Sequence, residues 1–89
     1  MEAAIRVFQD DDKGYKSWIA KNPEGYVIAS DNTEFSFMLH RATCPVLGAE
    51  ANPTAAGYYK ICSLNKDRLV GWVFEEAEKT PDNCTVCNP

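Results

Sequence analysis

Residues 26–44 read YVIASDNTEFSFMLHRATC, and this stretch decides the fold that we expect. The apolar run over residues 26–29 predicts a strand, and Asp31 with Asn32 has the composition of a turn. Side chains then alternate with the period of a strand that is covered mainly on one face: Phe35, Phe37 and Leu39 against Ser36, Met38 and His40. Two strands around a short turn predict an antiparallel hairpin whose second strand ends near His40.

The sequence before this hairpin predicts a strand and a helix. Residues 3–8, AAIRVF, are rich in apolar and β-branched side chains and predict a short strand. Asp11 or Asp12 is expected to cap the helix, because a side-chain carboxylate accepts hydrogen bonds from the first free backbone N–H groups. We expect this helix to end before Pro23, since proline disfavours helical backbone in the preceding residue.

The sequence after the hairpin predicts a loop, a strand and a second helix. Residues 41–57 contain two prolines and two glycines and are expected to be irregular. Residues 58–62, YYKIC, predict a strand, after which Ser63 or Asn65 begins a helix. The residues expected to end that helix are 80–83, and its apolar stripe comprises Leu69, Trp72, Val73 and Ala77.

Metal-binding residue types occur as two close pairs. His40 and Cys44 are separated by three residues, and Cys84 and Cys87 by two. Two such pairs, far apart in sequence, are the usual way to build a four-coordinate zinc site. A C-x-x-C turn often needs a residue with positive φ after its second cysteine, and Asn88 suits that position. The sequence therefore predicts Zn²⁺ bound by His40, Cys44, Cys84 and Cys87.

These patterns together predict the fold class. We expect residues 1–89 to form a single zinc-stapled α+β domain, a small antiparallel sheet with two helices and a C-terminal zinc knuckle. A chain of 89 residues buries only a modest core, so a structural metal is a reasonable source of additional stability.

The spacing of these ligands resembles that of a known family. HRATC, residues 40–44, followed by a helix and then CTVCNP, residues 84–89, is similar to the small zinc-binding module of Ada-type DNA-alkylation repair proteins and of some thermonuclease-like tails. That family has a C/H-x3-C pair before a helix and a closing C-x2-C-x-P, which Pro89 matches. The sequence departs from the Ada pattern in its first ligand, His40, and in a longer gap between the pairs.

The resemblance implies a methyl-accepting function, but the predicted ligands of this chain differ from those of the Ada-type module. In the Ada-type module one zinc-bound cysteine accepts a methyl group from DNA phosphate. A site with three cysteines and one histidine carries less negative charge, which makes its thiolates less nucleophilic. The whole chain, through residues 14–18, 22–28 and 39–44, also resembles small uncharacterised bacterial proteins, some of which accompany nuclease or defence domains.

Other roles for the cysteines stay open from the sequence. Cys62 ends a strand, where a buried cysteine behaves as a small hydrophobe, but it could replace His40 or Cys44 as a ligand. Four cysteines also permit three disulfide pairings. A redox role for Cys84 and Cys87 lacks the helix that normally follows the first cysteine of such a motif.

Charge and composition limit the classes of function that the sequence supports. The net charge is −4, which argues against non-specific coating of nucleic acid. Residues 1–12 carry acidic side chains where a signal peptide would carry positive ones, and no stretch of about twenty apolar residues occurs in the sequence. We therefore expect a cytoplasmic location, where thiols stay reduced. We see no nucleophile with a base, and no evident small-molecule substrate. A non-catalytic interaction module is therefore favoured over a thiol-active protein. Its partner would be an unknown protein or a nucleic acid, DNA included. The residues expected to contact that partner are Arg41, Lys60, Lys66 and Arg68.

Overall fold

The centre of the fold is a five-stranded sheet. The computed structural model describes residues 4–30, 37–48, 54 and 58–89. The strands run in the spatial order β1-β4-β2-β3-β5. Their bounds are β1 Arg6–Gln9, β2 Tyr26–Ser30, β3 Phe37–Arg41, β4 Tyr59–Ser63 and β5 Asp82–Asn83. All neighbouring pairs are antiparallel except β3 and β5, which are parallel.

The predicted hairpin is present and lies at the centre of the sheet. Strand β2 pairs with β3 so that Val27 faces His40, and it pairs on its other side with β4 so that Val27 also faces Cys62. Because side chains alternate between the two faces of a strand, this register places Val27, His40 and Cys62 on the same face. The predicted turn at Asp31 and Asn32 lies outside the described residues, as do Phe35 and Ser36.

Two helices of the expected kind pack on the sheet. Helix α1 spans Asp12–Lys21, and the Asp11 side chain accepts a hydrogen bond of 2.9 Å from the Gly14 N–H at its start. A short helix, α2, spans Pro45–Gly48. Helix α3 spans Lys66–Ala77 and begins after Asn65, whose side chain accepts from the Arg68 N–H at 3.2 Å. Of the two candidates predicted for each helix start, the cap is Asp11 rather than Asp12 for α1 and Asn65 rather than Ser63 for α3.

The two faces of the sheet bury separate apolar clusters. One cluster lies under α1 and includes the cysteines, while the other lies under α3. The first comprises Phe8, Tyr15, Val27, Ala42, Cys44, Leu47, Cys62 and Cys84. The second comprises Ile28, Phe37, Leu39, Ile61, Leu69 and Val73. The predicted α+β class is thus confirmed, with helices on both faces of a mostly antiparallel sheet.

The structure differs from the sequence-based expectation in two places. Helix α2 occupies part of the stretch that was expected to be irregular, and it raises the number of helices among the described residues from two to three. A single turn of helix is too short to show a hydrophobic period. Residues 82–83, expected to end a helix, instead form strand β5, because α3 has already ended at Glu78 in a left-handed conformation with φ 55°.

No helix in the described part of the chain is long and apolar enough to cross a membrane.

Candidate metal centre

Three segments of the chain bring the metal-binding side chains together. His40 lies near the end of β3, and Cys44 directly precedes α2. Cys84 and Cys87 lie in the turn that follows β5. The parallel pairing of β5 with β3 places Asn83 opposite Leu39, and the Cys84 N–H donates to the Leu39 carbonyl oxygen at 3.0 Å. The C-terminal turn is thereby anchored beside His40.

The ligand atoms form one compact cluster. One nitrogen or sulfur from each of His40, Cys44, Cys84 and Cys87 lies within 4.8 Å of all the others. The sulfur atoms of Cys44 and Cys84 are 3.8 Å apart. A tetrahedral ion with metal–sulfur bonds of about 2.3 Å separates two sulfur ligands by about 3.8 Å. The separation therefore fits a shared metal ion, and none of the four cysteines forms a disulfide.

The cluster is buried and leaves a polar atom without a partner. The side chains of His40, Cys44 and Cys84 are 5%, 3% and 6% exposed, whereas Cys87 is half-buried. The Nδ1 atom of His40 is buried and has no hydrogen-bond partner. A buried polar atom without a partner costs free energy. Coordination of a metal through Nδ1 would supply the missing interaction.

Backbone N–H groups point toward the sulfur atoms. The Arg41 N–H donates to Cys87 Sγ at 3.2 Å. Asn88 adopts a left-handed conformation with φ 48°, and its N–H donates to the Cys84 carbonyl oxygen at 3.0 Å. The expected positive φ after the second cysteine is thus confirmed. This backbone arrangement is typical of a turn that stabilises negatively charged sulfur.

The protein environment shifts the pKa values of the candidate ligands in different directions. Burial raises the pKa of the Cys44 thiol to about 11, although the Val46 N–H acts in the opposite direction. The Cys87 N–H holds the pKa of the Cys84 thiol below its ordinary value, assisted by the Val86 N–H. Burial, followed by the positive charge of Lys60, lowers the pKa of His40 and keeps its imidazole neutral. A neutral imidazole is the form that binds metal.

Cys62 is not part of this cluster. It lies fully buried in the apolar layer under α1, and burial raises the pKa of its thiol to about 12. The structure places Cys62 in the apolar core, as interpreted from the sequence, and outside the cluster of candidate ligands.

The four basic residues proposed as partner contacts do not share one surface. Lys60 is 1% exposed, and its ammonium lies 5.8 Å from the ring centroid of Tyr15. Its side chain is therefore not accessible to a partner at the surface. Lys66 and Arg68 are half-buried on α3, which packs on the opposite face of the sheet from Tyr15. Arg41 is exposed but hydrogen-bonded to the C-terminal turn.

The sequence did not reveal the role of Arg41 at this centre. Its guanidinium donates to the carbonyl oxygens of Cys87 and Asn88, each at 3.0 Å. Its position directly after His40 was the one signal available. That signal does not specify a partner 46 residues away in the chain.

Comparison of the chain with protein-family models, with curated proteins and with solved structures finds no match. The resemblance to the Ada-type zinc module therefore stays a prediction.

Proposed function

We propose that this chain is a zinc-stapled domain in which Zn²⁺ joins the C-terminal turn to the end of β3. The observation that carries the proposal is the convergence of four ligand atoms within 4.8 Å, from His40, Cys44, Cys84 and Cys87. Three thiolates and one imidazole form a donor set that favours zinc, whereas magnesium and calcium prefer oxygen ligands. Binding of structural zinc contributes about 10 kcal/mol or more at neutral pH, which is large for so small a domain.

The ligand count favours a structural ion over a catalytic one. A catalytic zinc keeps a position open for water or substrate, whereas four protein ligands fill a tetrahedral site. Three of the four ligand side chains are buried. Burial restricts the approach of a substrate to the metal and to the sulfur atoms.

We further propose that the domain works in the cytoplasm as a non-catalytic interaction module. Three thiol ligands in one candidate metal site suit a reducing compartment, which keeps such thiols from forming disulfides. The resemblance to nuclease-associated bacterial proteins favours nucleic acid as the partner, while the net charge of −4 and the burial of Lys60 favour a protein. An electrophoretic mobility-shift assay with a short DNA or RNA oligonucleotide distinguishes the two kinds of partner. A salt-sensitive shift supports nucleic acid, and no shift at low salt leaves the protein partner as the proposal.

The second candidate is a thiol-active protein, in which Cys84, Cys87 or Cys44 reacts as a redox or methyl-accepting group. The half-buried side chain of Cys87 provides the access that this function would need. Alkylation of the zinc-loaded protein with iodoacetamide separates the two candidates. Uniformly slow alkylation is the result expected for a structural site, and rapid modification of a single ligand would favour the thiol-active function.

Cobalt substitution tests the coordination directly. Co²⁺ in a tetrahedral site with sulfur ligands gives intense visible absorption and sulfur-to-metal charge-transfer bands. We expect both in the reconstituted protein, and we expect the addition of Zn²⁺ to abolish them. The weak spectrum of six-coordinate, oxygen-ligated Co²⁺ would contradict the proposed site.

A further inference from the structure

Arg41 makes three hydrogen bonds to the last turn of the chain. Its backbone N–H donates to Cys87 Sγ at 3.2 Å. Its side chain donates from Nε to the Cys87 carbonyl oxygen and from Nη2 to the Asn88 carbonyl oxygen, each at 3.0 Å. The planar guanidinium therefore donates hydrogen bonds to the carbonyl groups of two successive residues, a geometry that lysine cannot reproduce.

These contacts act on the most accessible ligand of the cluster. Cys87 is half-buried, whereas the other three ligand side chains are at most 6% exposed. Cys84 is held independently, since its N–H donates to the Leu39 carbonyl oxygen at 3.0 Å in continuation of strand β5. Cys87 lies beyond that strand. The position of its sulfur therefore depends on the turn to which Arg41 is bound.

The charge of Arg41 also suits this place. Three thiolates and a neutral imidazole around a divalent ion carry a net charge of −1, and the guanidinium beside them is a permanent cation. Carbonyl groups that accept from a cation form stronger hydrogen bonds than those that accept from a neutral donor. Electrostatics and geometry thus act together to hold the last turn against β3.

We propose that Arg41 is the positioning residue of the metal centre, fixing Cys87 as its fourth ligand. Without the guanidinium, Cys87 becomes the ligand that dissociates first, and the closed site becomes a three-ligand site of His40, Cys44 and Cys84. This inference rests on the proposed zinc site and replaces the sequence-based interpretation of Arg41 as a partner contact. It also explains how a site with one half-buried ligand stays closed.

The test compares zinc-loaded wild type with Arg41→Ala, Arg41→Lys and a control variant. Lys13→Ala is the control, because it removes one positive charge from an exposed position on α1. Zinc affinity is measured by competition with a chromogenic chelator. The order of cysteine modification is measured by iodoacetamide labelling with peptide mass spectrometry. Amide NMR spectra show whether the sheet is intact in each variant.

We expect Arg41→Ala to lower zinc affinity by about 10- to 100-fold, as loss of a residue that orients a ligand does elsewhere. Cys87 should then be the first cysteine modified, ahead of Cys44 and Cys84. Arg41→Lys should recover only part of the affinity, since it keeps the charge but loses the planar pair of donors. Lys13→Ala should behave as wild type.

Three results would overturn the inference. The first is a zinc affinity of Arg41→Ala equal to that of Lys13→Ala. The second is a zinc affinity of Arg41→Lys equal to that of wild type. The third is alkylation of Cys44 before Cys87 in Arg41→Ala. Failure of the wild-type protein to bind zinc would overturn the proposed function together with this inference. The wild-type titration therefore separates failure of the site from failure of the role assigned to Arg41.

Discussion

The sulfur atoms of Cys44 and Cys84 lie 3.8 Å apart although 40 residues separate them in the chain. The distance is about that expected between two sulfur ligands of one tetrahedral zinc ion, and it is well beyond the bond length of about 2.05 Å in a disulfide. The fold creates this proximity by pairing β5 with β3 in parallel, which carries the C-terminal turn to the start of α2.

Removal of the metal is expected to unfold the C-terminal turn first. Strand β5 contains two residues and pairs with β3 alone among the described strands. Residues 84–89 are therefore joined to the sheet by a few hydrogen bonds with Leu39 and Arg41 and, in our proposal, by the metal. After treatment with a chelator, amide NMR signals of these residues should lose their dispersion, while those of β2 and β4 keep theirs. Identical spectra with and without metal would contradict this role for the ion.

Substitution of single cysteines should distinguish ligands from core residues. Cys84→Ser removes a thiolate ligand and should abolish stoichiometric zinc binding at neutral pH. Cys62→Ala should keep one zinc per chain and lower the free energy of unfolding by about 1 kcal/mol, because it removes a buried sulfur without touching the metal. Elemental analysis and urea unfolding provide the two measurements. Loss of zinc in Cys62→Ala would show that Cys62 is a ligand after all.

Asp12 is expected to make stability depend on pH in the acidic range. The Thr54 hydroxyl and backbone N–H donate to Asp12 Oδ1 at 2.6 and 2.8 Å, and these bonds lower the pKa of the carboxyl below its ordinary value of 3.8. Since the folded-state pKa is the lower one, the stabilisation is present above the ordinary pKa and is lost as pH falls through the folded-state pKa.

Thermal unfolding of Asp12→Asn tests this dependence. The difference in Tm between wild type and Asp12→Asn should shrink as pH falls from about 5 to about 2, because wild type loses a charge that the variant never had. Acid also protonates the metal ligands, so the comparison is made between variants at each pH. Asp67→Asn, at an exposed carboxylate in the first turn of α3, is the control. A constant difference across this range would refute the role of Asp12.

The two faces of α3 should respond differently to truncation. Leu69 is fully buried against the sheet, whereas Phe74 on the same helix is 60% exposed. Leu69→Ala should lower the free energy of unfolding by about 2 to 5 kcal/mol, since it leaves a cavity in the core. Phe74→Ala should change it by no more than about 0.5 kcal/mol. Equal effects in urea unfolding would mean that α3 packs in another orientation.

Local patterns in the sequence account for most of the elements. Asp11 and Asn65 cap helices because their side chains accept from free N–H groups, and the alternation before His40 predicts β3 correctly. The residues at the candidate centre follow from spacing, because two close pairs of His and Cys, far apart in sequence, are the usual way to build a four-coordinate zinc site. The positive φ of Asn88 could be anticipated for the same local reason.

Features that depend on distant contacts could not be predicted in this way. The parallel pairing of β5 with β3 involves two residues in each strand, too few for a sequence pattern to indicate. Lys60 alternates with its neighbours as a strand residue should, but only the tertiary fold places it under α1 beside Tyr15. The hydrogen bonds of Arg41 to Cys87 and Asn88 likewise join segments that no local pattern connects.

The metal content of the purified, untagged protein is the most direct test of the central claim. Native mass spectrometry with elemental analysis, on protein never exposed to chelator, should find one zinc per chain bound to a folded domain. Folded protein with no metal and four free thiols would contradict the account, because His40, Cys44, Cys84 and Cys87 would then converge without an ion to hold.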